Sequence, residues 1–90
     1  MSIQTNYESR LGNAEARYLQ LKARTRLALD LSREGGTLAL ETALAARNKA
    51  ENLLDFAALS CLPDCYVRDA NKLVKEAAHL VVKLKREKQH

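Results

Sequence analysis

Residues 37–59 contain the pattern that most restricts the fold of this chain. Read at about 100° per residue, six positions separated by alternating steps of four and three residues fall on one line of a helix. These positions are Ala39, Ala43, Ala46, Ala50, Leu53 and Ala57. Small side chains along one line let a second helix approach more closely than the usual separation of about 8–10 Å. The segment is therefore predicted to be a central helix, with its neighbours folded back against it.

The composition favours helices over the whole chain. It includes 16 leucines and 14 alanines but only 3 glycines and 1 proline, and strong helix formers outnumber the β-branched residues that strands prefer. Residues 1–90 are predicted to form one all-α domain. Its expected architecture is an elongated antiparallel three-helix bundle, or a long helical hairpin plus a third helix, with coiled-coil-like packing. Helix 1 is predicted at about residues 5–34, helix 2 at about 37–60 and helix 3 at about 64–88.

Capping and breaking residues set these predicted boundaries. Thr5 and Glu8 have the spacing of a capping box at the start of helix 1. The glycine pair at 35–36 is expected to end that helix in the left-handed conformation, and Thr37 is then expected to cap helix 2. Pro63 has no N–H to donate, so a break is predicted before helix 3, with Pro63 in its first turn.

Helix 1 carries two apolar stripes on nearly opposite faces. The first stripe, which has strict heptad spacing, consists of Tyr7, Leu11, Ala14, Tyr18, Leu21, Thr25 and Ala28. The second stripe consists of Ala16, Leu19, Ala23, Leu27 and Leu31. One antiparallel neighbour can cover only one of the two stripes. A further covering surface is therefore expected.

This surplus of apolar positions leads to the main functional prediction. Three large apolar side chains of helix 2 fall outside the alanine line, and leucines of the second stripe add to them. The predicted protein interface consists of Leu19, Leu27, Leu31, Leu44, Phe56 and Leu59. Apolar surface of this extent favours burial in an oligomer or by a helical partner. The alternative is that a skewed bundle buries more of each helix than a helical wheel suggests.

Basic residues support a second function. The chain has 15 Lys and Arg against 11 Asp and Glu, a net charge of +4, which is modest for a dedicated nucleic-acid binder. The phosphate contacts expected in that case are Arg17, Lys22, Arg24, Arg26, Lys83, Lys85, Arg86 and Lys88. Cations in the last turns of a helix also offset its dipole and favour solubility, so these residues do not require a ligand.

The sequence contains no catalytic, cofactor-binding or metal-binding motif. Cys61 and Cys65 flank the predicted turn and would supply half of a zinc site, but neither His79 nor His90 has ligand spacing to the pair. The cysteines are expected to stay reduced and to pack at the end of the bundle as small apolar residues. His79 lies on the charged face of helix 3, which is unfavourable for a general base.

The chain is predicted to be a small non-enzymatic protein–protein interaction module of the adaptor, chaperone or assembly-factor type. It is expected to self-associate as a homodimer or to join a heterocomplex, with no cofactor and no small-molecule substrate. The alternative is a small nucleic-acid-associated protein that uses the basic faces of helices 1 and 3. The sequence has no apolar run of the ~20 residues that a membrane span needs and no secretory signal pattern, so a cytoplasmic location is predicted.

Overall fold

The structure, a computed structural model, describes the backbone of residues 3–88 and the side chains of residues 12–87. This part of the chain contains three helices and no strand. Helix α1 spans Ile3–Arg33, α2 spans Ala39–Leu59 and α3 spans Asp64–Lys88. The predicted all-α chain of three helices is confirmed. The predicted positions that lie outside the described side chains are Thr5, Tyr7, Glu8, Leu11, Lys88 and His90.

Helix α2 is the centre of the fold. It packs against both α1 and α3, whereas α1 and α3 touch each other at few points, and the molecule is somewhat elongated. The connections at residues 34–38 and 60–63 are short, so each helix turns back along the one before it. Helices α1 and α3 therefore run in the same direction along α2. None of the helices described between residues 3 and 88 combines the length and the apolar character that a membrane span requires.

The alanine line of α2 is buried, which confirms the prediction. The buried residues of this helix are Ala39, Ala43, Ala46, Ala50, Leu53 and Ala57. The neighbouring helices supply the large side chains that fill the space beside these small ones: Tyr18 and Leu29 come from α1, and Leu73 comes from α3. Full burial of one such large apolar side chain stabilises the fold by about 1.5–3 kcal/mol. The core is therefore a row of small residues on α2 held between larger residues on both neighbours.

The first stripe of α1 faces this core wherever its side chains are described. Tyr18, Thr25 and Ala28 are buried, and Ala14 and Leu21 are half-buried. The hydroxyl of Thr25 donates to the Leu21 carbonyl oxygen at 2.8 Å, so its burial leaves no unpaired donor. The heptad spacing of this stripe identified the buried face of α1 correctly over residues 14–28.

The turn between α1 and α2 confirms one predicted cap and contradicts another. Gly35 and Gly36 have φ angles of 84° and 94°, the left-handed region that L side chains rarely adopt. Thr37 does not cap α2, because the N-cap residue is Leu38 and it makes no side-chain cap hydrogen bond. The Ala39 N–H donates to the Gly36 carbonyl oxygen at 3.3 Å. This bond holds residues 37–38 in a turn and moves the start of the helix past the threonine.

Helix α2 ends in a Schellman motif, which was not predicted. The Leu62 N–H donates to the Ala57 carbonyl oxygen at 3.1 Å, and the Cys61 N–H donates to that of Ala58 at 3.3 Å. Cys61 has a φ of 55°, a left-handed conformation that glycine usually supplies at this position. Pro63 lies immediately before α3, where its missing N–H costs no helix hydrogen bond.

The predicted packing of the two cysteines is wrong. Cys61 and Cys65 are both exposed and unpaired. Leu62, which lies between the two cysteines in the sequence, is buried in the fold. The leucine therefore makes the apolar contact that was predicted for the cysteines. Among the side chains of residues 12–87, no group of three or more His, Cys, Asp and Glu is placed to hold a metal ion.

Candidate functional site

The second stripe of α1 is exposed. All five of its positions, Ala16, Leu19, Ala23, Leu27 and Leu31, lie on the surface of the chain. Helix α3 does not cover them, because it packs mainly on α2 and touches α1 at few points. The expected covering surface is therefore not supplied within the described part of this chain.

Two leucines of this stripe line a groove between α1 and α2. The groove has a volume of about 470 Å³, and no residue of α3 lines it. Its apolar lining consists of Leu27, Ala28, Leu31, Leu38 and Ala45. Its polar lining consists of Arg24, Glu41, Thr42 and Lys49. We refer to this surface as the α1–α2 groove.

Three exposed leucines dominate the α1–α2 groove. Leu27 is 61% exposed, Leu31 is 48% exposed and Leu38 is 63% exposed. Leu38 was not among the predicted interface residues. It lies two residues after the glycine pair, so a chain that reverses there brings it to the same groove as Leu31 at the end of α1. The position of the turn was therefore the signal that could have identified it.

The other predicted interface residues lie elsewhere. Leu59 is 84% exposed, but it lies at the opposite end of α2, roughly 30 Å from Leu38 along the helix. Phe56 is half-buried and packs against the core, and Leu44 is also half-buried. Leu19 is exposed on α1 but does not line the α1–α2 groove. The six predicted residues are therefore not brought together into one surface.

Charge is distributed unevenly along the α1–α2 groove. Glu41 lies in the first turn of α2, close to the connection at residues 34–38. Arg24 and Lys49 lie farther from that connection on their respective helices, because α2 turns back along α1. The groove thus has a carboxylate toward one end, two cations toward the other and leucines between them.

A second groove, with a volume of about 810 Å³, follows α3 beside the end of α1. Its basic lining consists of Arg33, Lys72, Lys75, His79, Lys83 and Arg86. Its remaining lining consists of Glu76, Glu87, Leu80 and Val82. We refer to this surface as the α3 groove. On α3, the lysines and arginine of this lining are separated by three, eight and three residues, which places them on one side of the helix.

The basic residues predicted for nucleic-acid binding are divided by the fold. Lys83 and Arg86 line the α3 groove, whereas Lys85 does not. The ammonium nitrogen of Lys22 lies 2.8 Å from Oδ2 of Asp69, so this cation already has a carboxylate partner. The other α1 cations of the set are exposed: Arg17, Arg24 and Arg26.

A polar network joins α1 to α3, which otherwise touch at few points. The hydroxyl of Tyr18 lies 2.6 Å from Oδ2 of Asp69 and 3.0 Å from the carbonyl oxygen of Tyr66, and it donates its one hydrogen to one of them at a time. Asp69 also accepts from Lys22, and the Tyr66 hydroxyl donates to Oε2 of Glu15 at 3.0 Å. The two tyrosine rings meet edge to face, with centroids 4.9 Å apart.

The network shifts three pKa values. Burial, followed by the hydrogen bond to Asp69, raises the pKa of Tyr18. The hydrogen bond to Glu15 and then burial raise the pKa of Tyr66. Burial alone would raise the pKa of Asp69, but hydrogen bonds from Lys22 and Tyr18 outweigh it, so that the pKa is lowered. None of these residues lines either groove, which favours a role in fastening α1 to α3 over a role at a substrate site.

Replacing Tyr18 by phenylalanine is expected to lower the free energy of unfolding by about 1–2 kcal/mol. The ring packing is kept, but Asp69 loses a hydrogen bond from a buried hydroxyl. Urea denaturation at neutral pH measures the change. Tyr66→Phe is the matched control, and its effect on the free energy of unfolding should be smaller. The Tyr66 hydroxyl donates to Glu15, and both residues are only half-buried. A cost at Tyr66 equal to that at Tyr18 would contradict this assignment.

The same network should make stability depend on pH at both extremes. The folded pKa of Asp69 is below its usual 3.8, so the stabilisation is present above pH 3.8 and is lost as pH falls through the folded value. The folded pKa of Tyr18 is above its usual 10.0, so its contribution is complete below pH 10.0 and is lost as pH rises beyond it. Urea midpoints across pH should show a smaller alkaline loss in Tyr18→Phe than in the unsubstituted chain.

Comparisons with known proteins give no family assignment. A scan against protein-family models, a search of curated proteins and a search of solved structures each returned no match for this chain.

Proposed function

We propose that this protein is a small, non-enzymatic helical interaction module of the adaptor, chaperone or assembly-factor type that self-associates in the cytoplasm. The observation that supports this most directly is the α1–α2 groove. Leu27, Leu31 and Leu38 are each about half exposed or more and line one groove that α3 leaves open. Single exposed leucines are ordinary on soluble proteins, whereas exposed leucines clustered in one groove favour a site of association.

A second copy of the chain is the occupant that fits the charges of the groove. Glu41 lies toward one end, and Arg24 and Lys49 lie toward the other. A two-fold axis through the middle of the groove brings Glu41 of each copy toward Arg24 and Lys49 of the other. The leucines then meet at the centre of the interface. Burial of the leucines supplies the affinity, and the charges fix the relative orientation of the copies.

The proposal includes the helix packing within each copy. We take the three helices to form an elongated antiparallel bundle with coiled-coil-like contacts. The alternating four- and three-residue spacing of the alanine line supports this packing, because it keeps one seam of α2 in contact with its neighbours. In the dimer, the α1–α2 pairs of the two copies would face each other as a four-helix interface.

Nucleic-acid association remains the second candidate, and the position of Lys83 and Arg86 in the α3 groove favours it. Phosphate binding by such cations would be weak, independent of sequence and steeply reduced by salt. The same groove also contains the carboxylates of Glu76 and Glu87 and the apolar side chain of Val82. Val82 offers no partner for phosphates, and Lys22 of the α1 set is already paired with Asp69, so the first candidate is preferred.

Sedimentation velocity across a concentration series tests self-association. With rising concentration, from micromolar toward millimolar, the mass should change from that of one chain, 10.1 kDa, to twice that value. Salt should weaken the association only moderately, since leucines rather than exposed ion pairs supply most of the affinity. A mass of one chain over the whole series would contradict the proposal.

A further inference from the structure

The α3 groove is a second surface of the molecule and is independent of the first. It shares no lining residue with the α1–α2 groove. Apart from Arg33, every residue that lines it belongs to α3. A dimer formed through the α1–α2 groove would therefore use other residues than these and would leave the α3 groove open.

The charge of the α3 groove is positive and incompletely neutralised. Arg33 and Glu76 pair with each other at 3.3 Å. Among the described side chains, no carboxylate lies within ion-pair distance of Lys72, Lys75 or Lys83. The groove thus presents a row of lysines whose charges are free to meet carboxylates from another molecule.

The same groove also has an apolar component. Val82 is 50% exposed on one edge of the lysine row, whereas Leu80, two residues away, lies on the other edge and is half-buried against the core. The aliphatic parts of the lysine side chains add further apolar surface. A ligand that carries only negative charge would leave this surface in water, whereas a ligand with both carboxylates and apolar side chains would cover it.

We propose that the α3 groove binds an acidic amphipathic helix of a partner protein. Lys72 and Arg86 are separated by about 21 Å along α3, the length of a helix of ~14 residues. Its cations form two pairs three residues apart, Lys72 with Lys75 and Lys83 with Arg86, and glutamates on one face of a partner helix can meet both pairs. The apolar side of that helix lies on Val82 and the aliphatic parts of the neighbouring lysine side chains, and its glutamates face the ammonium groups.

Fluorescence anisotropy with three labelled probes of equal net charge tests the class of ligand. The first is a synthetic helical peptide with leucines on one face and glutamates on the other, the second is a polyglutamate peptide, and the third is a single-stranded oligodeoxynucleotide. At physiological salt the amphipathic peptide should bind at least about tenfold more tightly than the other two, because only it covers the apolar surface. Equal or tighter binding of polyglutamate or of the oligonucleotide would overturn the proposal.

A pair of neighbouring charge reversals locates the binding site. Lys83→Glu should weaken binding of the amphipathic peptide by at least about fivefold, because a rim cation becomes a repelling carboxylate. Lys85→Glu changes the net charge equally and lies near the same helix end, but this residue does not line the groove, so binding should be nearly unchanged. Circular dichroism verifies that both variants are folded. Equal losses in the two variants would show attraction by net charge alone and would overturn the assignment to the groove.

Discussion

Replacing Ala50 by leucine is expected to lower the free energy of unfolding by about 1–3 kcal/mol. Ala50 has no exposed surface and lies on the alanine line, where α2 is packed between its two neighbours. Three additional carbon atoms can be accommodated there only if the helices separate or side chains leave their preferred rotamers. Ala46→Leu should behave in the same way, since Ala46 is equally buried on the same line. Urea denaturation monitored by circular dichroism measures both changes.

The matched control for this prediction is Asn48→Leu. Asn48 lies on the same helix but is exposed, so the added side chain displaces only water and the effect on stability should be near zero. If all three leucine substitutions had equally small effects, α2 would not be closely packed along the alanine line.

Replacing both Leu27 and Leu31 by glutamine is expected to raise the dissociation constant of the dimer by at least about 100-fold. Each copy loses two leucines from the interface, and burial of one leucine is worth about 1.5–3 kcal/mol. The helices of the single chain should persist, because both side chains lie largely outside its core. Sedimentation equilibrium measures the association, and circular dichroism at low concentration measures the helicity.

Leu19→Gln is the control for the double substitution. Leu19 belongs to the same exposed stripe of α1 but does not line the α1–α2 groove, so its replacement should leave the dimer intact. Dissociation of the dimer by Leu19→Gln would show that the interface follows the whole stripe instead of the groove. Loss of helicity after the double substitution would show that Leu27 and Leu31 belong to the core, and would remove the main support for self-association.

Periodicity within a single helix was sufficient to predict the three helices, the buried line of α2 and the core-facing stripe of α1, but not the burial of Leu29 and Ser32. The six positions of the alanine line are all buried, and Tyr18, Thr25 and Ala28 of the first stripe of α1 are buried with them. Such patterns are local, because the buried face of a helix depends on the spacing of its own residues. The prediction that α2 is central followed from the same pattern, since small residues along one line favour close approach by a neighbour.

The turns could not be predicted as well, because their conformation depends on a few backbone torsions. Thr37 has a suitable side chain for a cap, but the bond between Ala39 and Gly36 moves the helix start beyond it. Cys61 occupies a left-handed position where glycine would be expected, so the Schellman motif could not be recognised from the residue types. The exposure of Cys61 and the burial of Leu62 both follow from that turn.

The polar network and the grooves depend on how helices align, which a single sequence does not reveal. Tyr18 and Asp69 are separated by 51 residues, and only the register between α1 and α3 brings them together. The cations of the α3 groove were recognisable in part from their spacing on helix 3. The predicted set of helix 3 cations came from the last turns of the helix. It therefore included Lys85, which does not line the groove, and omitted Lys72 and Lys75, which do.

The central position of α2 also has a consequence for how the chain folds. Helix α2 packs extensively against α1 and α3, whereas α1 and α3 touch at few points. Each extensive contact therefore joins helices consecutive in sequence and needs only a short loop to form. A chain of this kind resembles a short repeat array, in which either helical pair can form first and the third helix then adds to it. The hydrogen bonds of Tyr18 cross from the first helix to the third. Without these bonds, the α1–α2 pair and the α2–α3 pair could open separately. The bonds therefore join the two pairs into one cooperative unit.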